Sequence, residues 1–179
     1  MSSGPILTDV ERAFMGAARR AVLATADPRG RPRLVPICFV LGRDGADGLP
    51  RLYTPLDEKP KRDADPRRLA RVRDIVERAS VTVLVDRWDE DWTRLAWLRC
   101  HGTAEVLEAS ASDTPDAPDA PDAEREAERD AAIADLRGKH HQYAGHGLET
   151  RPLIRISIAR VSSWGALEAA TSERAARST

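Results

Sequence analysis

The sequence predicts an α+β fold in which six antiparallel strands close into a barrel, with two or three helices between them. Six apolar or β-branched runs have the length of strands, and most are joined by short turn-like connections. Helical periodicities are too few and too unevenly placed for a doubly wound parallel sheet. Closure into a barrel would remove the exposed edges of such a sheet. The 179 residues suit a single domain, which we expect to span 1–179.

The predicted strands are apolar and β-branched runs bounded by turn signals or proline. They lie at 21–25, 34–41, 51–54, 81–85, 95–107 and 153–161. A turn signal at 27–30 joins the first two strands into a hairpin. Pro36 interrupts the second strand, which predicts an edge position or a bulge. Gly102 predicts a bend within the fifth strand.

Three segments carry helical signals. Thr8 and Glu11 have the spacing of a capping box, which predicts that a first helix follows them. Asp65 is a suitable N-cap and Pro66 suits the first helical position, so a second helix should begin there. A third helix is expected from about 123 to 141.

Composition excludes several classes of protein. The chain has 41% hydrophobic and 32% charged residues and a formal net charge of −1. It is therefore neither disordered as a whole nor a typical nucleic-acid-binding protein. No apolar run approaches the roughly 20 residues of a membrane span, and no signal peptide is recognisable. We expect a cytoplasmic protein with neither membrane nor nucleic-acid partners.

A low-complexity segment interrupts this domain. Residues 110–123 contain the triplet Pro-Asp-Ala three times in succession. A tract of this composition buries too little apolar surface to fold by itself, because the gain from burial does not offset the loss of chain entropy. The sequence therefore predicts a disordered loop at about 110–123.

The cysteines and histidines show no pattern of a metal site. Cys38 and Cys100 lack CxxC spacing and lie in strand-like runs, where we expect them reduced and packed as apolar side chains. The adjacent His140 and His141 point to different faces of a helix, and no nearby cysteine or carboxylate spacing supports them. We therefore expect no bound metal.

A short basic motif is the clearest chemical signal. Only three of the 28 basic residues are lysines, and two of these, Lys59 and Lys61, are followed by Arg62 just before the helix predicted at Pro66. Cationic side chains beside a helix N-terminus can hold a phosphate group. The acidic residues in the same stretch leave a second interpretation open, in which this is a solvated loop with a charged cap.

Aromatic residues cluster at one place in the sequence. Trp88, Trp92 and Trp97 lie close together in a chain that is only 4% aromatic. Each indole offers a flat apolar face to a ring system and a single N–H donor. The cluster therefore fits a ring-binding site or packing at a dimer interface, and both apply if the site lies at that interface.

Five stretches of the chain form a recognisable set. They are YTPLDEKPK (53–61), LARVR (69–73), VDRWDEDWTRLAW (85–97), KHHQY (139–143) and VSSW (161–164). Together they resemble the pyridoxamine 5′-phosphate oxidase-like split β-barrel proteins, and within them the branch of F420-dependent enzymes of actinobacteria. The likeness covers nearly the whole chain apart from the Pro-Asp-Ala repeat. It implies a six-stranded split β-barrel of the FMN-binding type.

The resemblance also implies a homodimer with two cofactor sites at the subunit interface. The cofactor's phosphate would be held by Lys59 and Lys61, with Arg62. The cofactor's ring would be lined by Pro36, Ile37, Cys38, Tyr53 and Thr54. The second subunit would complete the pocket with Trp88, Trp92 and Trp97, and with the charge of Arg99.

The implied reaction is hydride transfer from the reduced deazaflavin F420 to a small unsaturated or quinone-like acceptor. No residue is identified as catalytic, and Tyr53 is a candidate proton donor. The short Lys-Pro-Lys motif favours F420, but two alternatives stay open. One is an FMN-dependent pyridoxamine phosphate oxidase-like enzyme on the same fold. The other is a non-enzymatic protein that binds a cofactor or tetrapyrrole, with His101 as the candidate haem ligand, although a structural role is the favoured interpretation of that histidine.

Overall fold

One curled antiparallel sheet organises the structure, a computed structural model that describes residues 5–56, 65–109 and 120–170. The seven strands of this sheet follow the order β2-β1-β5-β6-β7-β4-β3. They are β1 (Ala21–Ala26), β2 (Pro32–Ile37), β3 (Val40–Leu41), β4 (Arg51–Pro55), β5 (Ser80–Arg87), β6 (Ala96–Leu107) and β7 (Leu153–Gly165). The predicted α+β class is thereby confirmed, and the curled antiparallel sheet, a half-barrel, is consistent with the predicted split β-barrel.

The sheet has one strand more than the six predicted, because the second predicted strand divides in two. Cys38 and Phe39 leave the ladder with β1, and Val40 pairs with Tyr53 of β4 instead. β2 and β3 stand at opposite ends of the strand order, yet only those two residues join them. The two ends of the sheet are therefore drawn together, which curls it into a half-barrel.

Three α-helices accompany the sheet within the described ranges: α1 (Asp9–Ala17), α2 (Ala70–Glu77) and α3 (Ala120–Lys139). The predicted capping box precedes α1. The Thr8 hydroxyl accepts a hydrogen bond from the Glu11 N–H, and the Glu11 carboxylate accepts one from the Thr8 N–H. Two of the otherwise unsatisfied donors at this helix end are thus paired.

The second and third helices begin at other residues than predicted. Asp65 caps a 3₁₀ turn, Pro66–Arg68, by accepting a hydrogen bond from the Arg67 N–H, and the extended backbone of Leu69 separates that turn from α2. α3 begins at Ala120 and so takes up the end of the predicted loop. The rest of that loop, 110–119, lies outside the described residues.

Two buried carboxylates fix the β1–β2 hairpin to α2. Asp27 accepts a hydrogen bond from the Arg31 N–H at 2.9 Å, and Asp74 accepts one from the Thr25 hydroxyl at 2.8 Å. The Arg33 guanidinium lies 3.3 Å from Asp74 and 3.7 Å from Asp27. Buried carboxylates are stable only when they are paired in this way. The hairpin also has Pro36 on an edge strand, as predicted.

The main hydrophobic core fills the inside of the curl. It contains the inward residues of the central strands, such as Leu23, Val83, Leu98 and Ile156, all essentially without solvent exposure. α1 and α2 contribute their apolar faces to this same core. Burial of this apolar surface is the main source of stability in a domain of this size.

A bulge in the ladder between β6 and β7 changes which residues of β7 point to the outer face on either side of it. His101 pairs with Arg160, whereas Gly102 pairs with Ile158, so Ala159 is an extra residue on β7. A Cβ at position 102 would collide with a backbone carbonyl oxygen of β7, so this close approach of the two strands requires glycine. The bend predicted at Gly102 is therefore confirmed.

The outer face of the sheet has two halves of different character. In the covered half, Tyr53, Leu107 and Leu153 pack beneath Ile133 and Leu136 of α3 and form a second buried cluster. The bare half comprises the outward side chains of β1, β2 and β5, of β6 before the bulge and of β7 after it. None of these outward side chains is buried. The bare half is the part of the sheet that no described helix protects.

Candidate cofactor site

The predicted phosphate-binding residues Lys59, Lys61 and Arg62 lie outside the described residues. The described chain stops at Leu56, at the end of β4, and resumes at Asp65. Their role in holding a phosphate stays a prediction.

The predicted ring-lining residues of the β2–β3 connection do not share a face. Pro36 is exposed on the bare half, whereas Ile37 is buried in the main core. Cys38 lies half-buried in the crossing connection, where the Gln142 side-chain amide donates to its sulfur at 3.5 Å. Successive residues of a strand point to opposite faces. A ring that touched all three would therefore have to lie along the backbone.

Tyr53 and Thr54 are likewise divided between the two faces of β4. Thr54 is buried on the side of the main core, and Tyr53 points into the covered half. The Tyr53 hydroxyl donates a hydrogen bond to the Glu128 carboxylate of α3. Burial, together with this hydrogen bond and the charge of Glu128, raises the pKa of Tyr53 above its usual value. The phenolic proton is therefore held more tightly than in an exposed tyrosine.

All four tryptophans of the chain stand at the β5–β6 end of the bare half. Trp88 and Trp92 belong to the hairpin between these strands and are 73% and 75% exposed. Trp97 lies on the outward face of β6, directly opposite Trp164 of β7, which is 56% exposed. The three predicted tryptophans therefore lie on one hairpin and the strand that follows it. Trp164, which was not among the predicted site residues, pairs with Trp97 across the ladder.

Hydrogen bonds of its own backbone and side chains shape the tryptophan-bearing hairpin. The Asp91 carboxylate accepts from the Thr93 N–H at 3.0 Å and from its hydroxyl at 2.7 Å, which starts the 3₁₀ turn of Trp92. The Arg87 side chain donates to the Arg94 carbonyl across the hairpin at 2.9 Å. These contacts define the backbone of the turn that carries the exposed Trp92.

Three cationic or titratable side chains follow the tryptophans along the same face. The Arg99 guanidinium lies 5.5 Å from the centre of the Trp97 ring. His101, two residues further along β6, pairs with Arg160 of β7, and its Nδ1 lies 3.0 Å from the Thr82 hydroxyl. Burial, then the charges of Arg160 and Arg99, lowers the pKa of His101. Because it alternates with the buried Cys100 on β6, His101 faces outward from the sheet and does not pack in the core.

The two cysteines differ in environment. Cys100 is buried in the main core, where burial raises its thiol pKa to about 12, so it behaves as an apolar side chain as predicted. Cys38 is only half-buried. Among the described residues no three His, Cys, Asp or Glu side chains form a group suited to a metal ion. In the same part of the chain, no helix combines the length and apolarity of a membrane span.

Comparison with known protein families identifies the family of this chain. The sequence profile described as Pyridoxamine 5′-phosphate oxidase matches residues 7–165, which is most of the chain. The chain belongs to the pyridoxamine 5′-phosphate oxidase family. The matched region includes both halves of the sheet. A search of curated proteins finds no match to the chain.

Solved structures of similar fold carry diverse descriptions. The conserved hypothetical protein Rv2991 from Mycobacterium tuberculosis is 17% identical, with 92% of this chain and 89% of that chain covered and a TM-score of 0.56. An FAD-binding protein from Mesorhizobium loti is 21% identical, with coverages of 88% and 94% and a TM-score of 0.54. HutZ, the heme storage protein from Vibrio cholerae, is 14% identical, with coverages of 86% and 90% and a TM-score of 0.53. At these identities the likeness concerns the fold alone.

Proposed function

We propose that this protein is a cytoplasmic F420-dependent oxidoreductase that reduces a small unsaturated or quinone-like acceptor. The observation that carries the proposal is the bare half, where the chain leaves all its tryptophans at one end of an unprotected sheet. Large exposed apolar groups cost solubility and are usually retained for binding. The family supplies the second support, since it includes flavin-dependent oxidoreductases.

The donor set of the bare half suits a flavin-type cofactor. F420 and FMN each combine a planar tricyclic ring with phosphate, and the bare half offers indole faces at Trp97 and Trp164 with the Arg99 guanidinium beside them. When bound, reduced F420 supplies a hydride, and the protein supplies orientation and charge. Lys59, Lys61 and Arg62 hold the phosphate in this proposal.

Tyr53 acts in this proposal by positioning and gives no proton to the acceptor. Its hydroxyl is committed to Glu128, and its raised pKa disfavours loss of the phenolic proton. Glu128 is in turn paired with Arg155 at 2.5 Å, so the hydroxyl is part of a closed polar network under α3. Tyr53 therefore stiffens β4 just before the segment that carries Lys59 and Lys61.

We further propose that a second copy of the chain docks on the bare half. Leu34, 67% exposed on β2, and Trp164, 56% exposed on β7, mark its two sides. Between them lie Val22 and Ala24 of β1 and Leu84 of β5, which are outward, apolar and only partly exposed. A two-fold contact through this surface would enclose the cofactor between two subunits and exclude water from the reacting ring.

A paired titration tests the cofactor assignment. Purified protein is titrated with F420 and, separately, with FMN, and binding is measured by equilibrium dialysis. The variants Lys59→Ala and Lys61→Ala each remove one predicted phosphate contact, and Arg73→Ala, on the exposed side of α2, serves as the control. We expect tight F420 binding that both lysine variants weaken by about tenfold, with the control unchanged.

Each other outcome of this titration has a definite meaning. Preference for FMN would move the protein to the FMN-dependent oxidoreductases on the same fold. Binding of neither compound would overturn the cofactor proposal. Tight F420 binding that the lysine variants leave unchanged would retain the cofactor and reject the phosphate cradle.

A tetrapyrrole-binding role is the second candidate, and the outward placement of His101 favours it. An imidazole with Nδ1 held by the Thr82 hydroxyl is oriented as metal-ligating histidines commonly are. One structural neighbour is described as a heme storage protein. Haem titration followed by the Soret band tests this role. A His101→Gln variant that binds haem as the unchanged protein does would reject His101 as the ligand.

A further inference from the structure

We propose that Arg99, His101 and Arg160 form an anion-binding site on the bare half, which takes the carboxylate or phosphate group of a planar ligand. The three side chains occupy neighbouring positions on two adjacent central strands. Arg160 pairs directly with His101, and Arg99 precedes His101 by one outward position on β6. They therefore point from the same face of the sheet.

The absence of carboxylate partners distinguishes this group from the other arginines of the sheet. On the same strand as Arg160, Arg155 is paired with both Glu105 and Glu128. Within residues 5–56, 65–109 and 120–170, neither Arg99 nor Arg160 forms an ion pair. The positive charges of Arg99 and Arg160, diagonal neighbours on two adjacent strands, repel one another and destabilise the sheet. A sequence that keeps them together without an internal acid is consistent with an anion arriving from outside.

Acidic groups near the site do not neutralise it. The nearest outward acid on the adjoining strand is Asp86, which pairs with Trp97 and so stands diagonally from Arg99. The residues that pair directly with Arg99 are Leu84 on β5 and Ser162 on β7, neither of which carries a charge. Ser162 instead adds a hydroxyl donor between the two arginines.

The imidazole of His101 is oriented to complete the site. Its Nδ1 is engaged by Thr82, and within the described residues no hydrogen bond is made to its Nε2. When an anion binds, the imidazolium can donate Nδ1–H to the Thr82 oxygen and Nε2–H to the anion. The pKa of His101, lowered by burial and by Arg160 and Arg99, should therefore rise when an anion offsets these charges.

The neighbours of the site indicate the shape of its ligand. Arg99 stacks over Trp97, and Trp97 faces Trp164, so flat aromatic surface adjoins the cationic group. A conjugated ring lying on the indoles would carry its acidic substituent toward Arg99 and Arg160. Two sources fit this chemistry, namely the acidic tail of the cofactor and an acidic acceptor molecule.

The imidazole resonances of the protein provide the first test. The pH titration of His101, assigned by its loss in His101→Gln, is followed by NMR with inorganic phosphate and with benzoate as probes. We expect either probe to raise the apparent pKa of His101, and benzoate to bind more tightly than acetate. Arg160→Gln and Arg99→Gln should each weaken benzoate binding by about tenfold. Arg73→Gln is the matched control and should have no effect.

Cofactor affinity of the same variants distinguishes the two sources. Loss of F420 or FMN affinity in Arg160→Gln would assign the site to the cofactor's acidic tail. Unchanged cofactor affinity, with benzoate still binding to the cofactor-loaded protein, would assign it to an acidic acceptor. The site is rejected if no probe moves the His101 titration, or if both arginine variants bind benzoate as the unchanged protein does. Failure of F420 to bind would leave this test intact.

Discussion

Arg155 and Arg160 lie five residues apart on β7 and belong to the two different halves of the outer face. Arg155 is beneath α3, where Glu105 and Glu128 both pair with it. Arg160 is on the bare half, where it faces His101 and has no ion pair within the described residues. The covered half satisfies its charges internally. The bare half instead combines exposed tryptophans with arginines that form no ion pair within the described residues.

The bulge at Ala159 explains how one strand serves both halves. If β7 paired regularly without a bulge, the alternation set by Ile154, Ile156 and Ile158 would turn Ala159 outward and Arg160 toward the core. With the bulge, the outward positions become 160, 162 and 164. The bulge therefore places Trp164 opposite Trp97.

Truncating a buried side chain in the covered half should cause the largest loss of unfolding free energy. Leu136 of α3 has no solvent exposure, so Leu136→Ala should lower the free energy of unfolding by about 2–5 kcal/mol through lost burial and a residual cavity. Urea unfolding followed by circular dichroism measures this. The matched control is Leu34→Ala on the bare half, which should change the unfolding of the isolated chain by less than about 1 kcal/mol. Equal costs would contradict the division into two halves.

A charge on the bare half should act on association and leave folding intact. Leu34→Asp introduces a carboxylate into the proposed contact between two copies, so it should weaken self-association by about 10- to 100-fold. Sedimentation velocity over a range of protein concentrations measures this. Val76→Asp, at another exposed apolar residue on α2, is the control. Identical sedimentation of both variants and the unchanged protein would show that this face is not the interface.

Neutralising the two arginines of β7 should have unequal effects on folding. Arg155→Met leaves Glu105 and Glu128 without their shared cation and should cost about 1–2 kcal/mol of unfolding free energy. Arg160→Met breaks no ion pair and relieves repulsion with the nearby Arg99, so it should be neutral or slightly stabilising. Parallel urea curves for the two variants compare them directly. A larger loss of unfolding free energy for Arg160→Met than for Arg155→Met would contradict this prediction.

Lys139, at the end of α3, should make the stability of the fold weakly dependent on pH, which is the smallest of these effects. Burial and the nearby Arg19 lower the pKa of Lys139 to about 8, with its ammonium 3.2 Å from the Met15 carbonyl and 4.1 Å from the Phe39 ring centre. The unfolded chain therefore binds this proton more tightly than the folded chain does. The free energy of unfolding should rise with pH from about 8 up to the ordinary pKa of lysine, as the folded chain loses this proton first. The difference in stability between the unchanged protein and Lys139→Met should therefore shift in favour of the former between pH 7.5 and about 10. Parallel pH profiles would contradict this.

Local patterns predicted the elements of the fold well. The capping box of Thr8 and Glu11, the β1–β2 hairpin, the edge position of Pro36 and the bend at Gly102 all depend on a few adjacent residues, and all are present. The division of the second strand was not predicted, because it depends on Val40 pairing with a distant strand. Prediction from local residue propensities contains no information on such a long-range contact.

The candidate site was predicted less completely, for the same reason. Trp88, Trp92 and Trp97 were found because they are close in sequence. Trp164 was missed as a site residue, since the bulge at Ala159 shifts the alternation that its strand shows earlier. Tyr53 and Thr54 were assigned to one ring wall from the family resemblance, although neighbours on a strand point to opposite faces. Their assignment to one ring wall stays a prediction.

Side-chain footprinting tests whether the bare half binds the cofactor. Hydroxyl-radical labelling of Trp88, Trp92 and Trp164 is compared without ligand and at saturating F420, at a protein concentration where the oligomeric state is constant. His141, exposed beyond the end of α3, is the internal control. We expect labelling of the tryptophans to fall when F420 binds, while labelling of His141 stays unchanged. Saturation with F420 that leaves all three tryptophans labelled as before would contradict it.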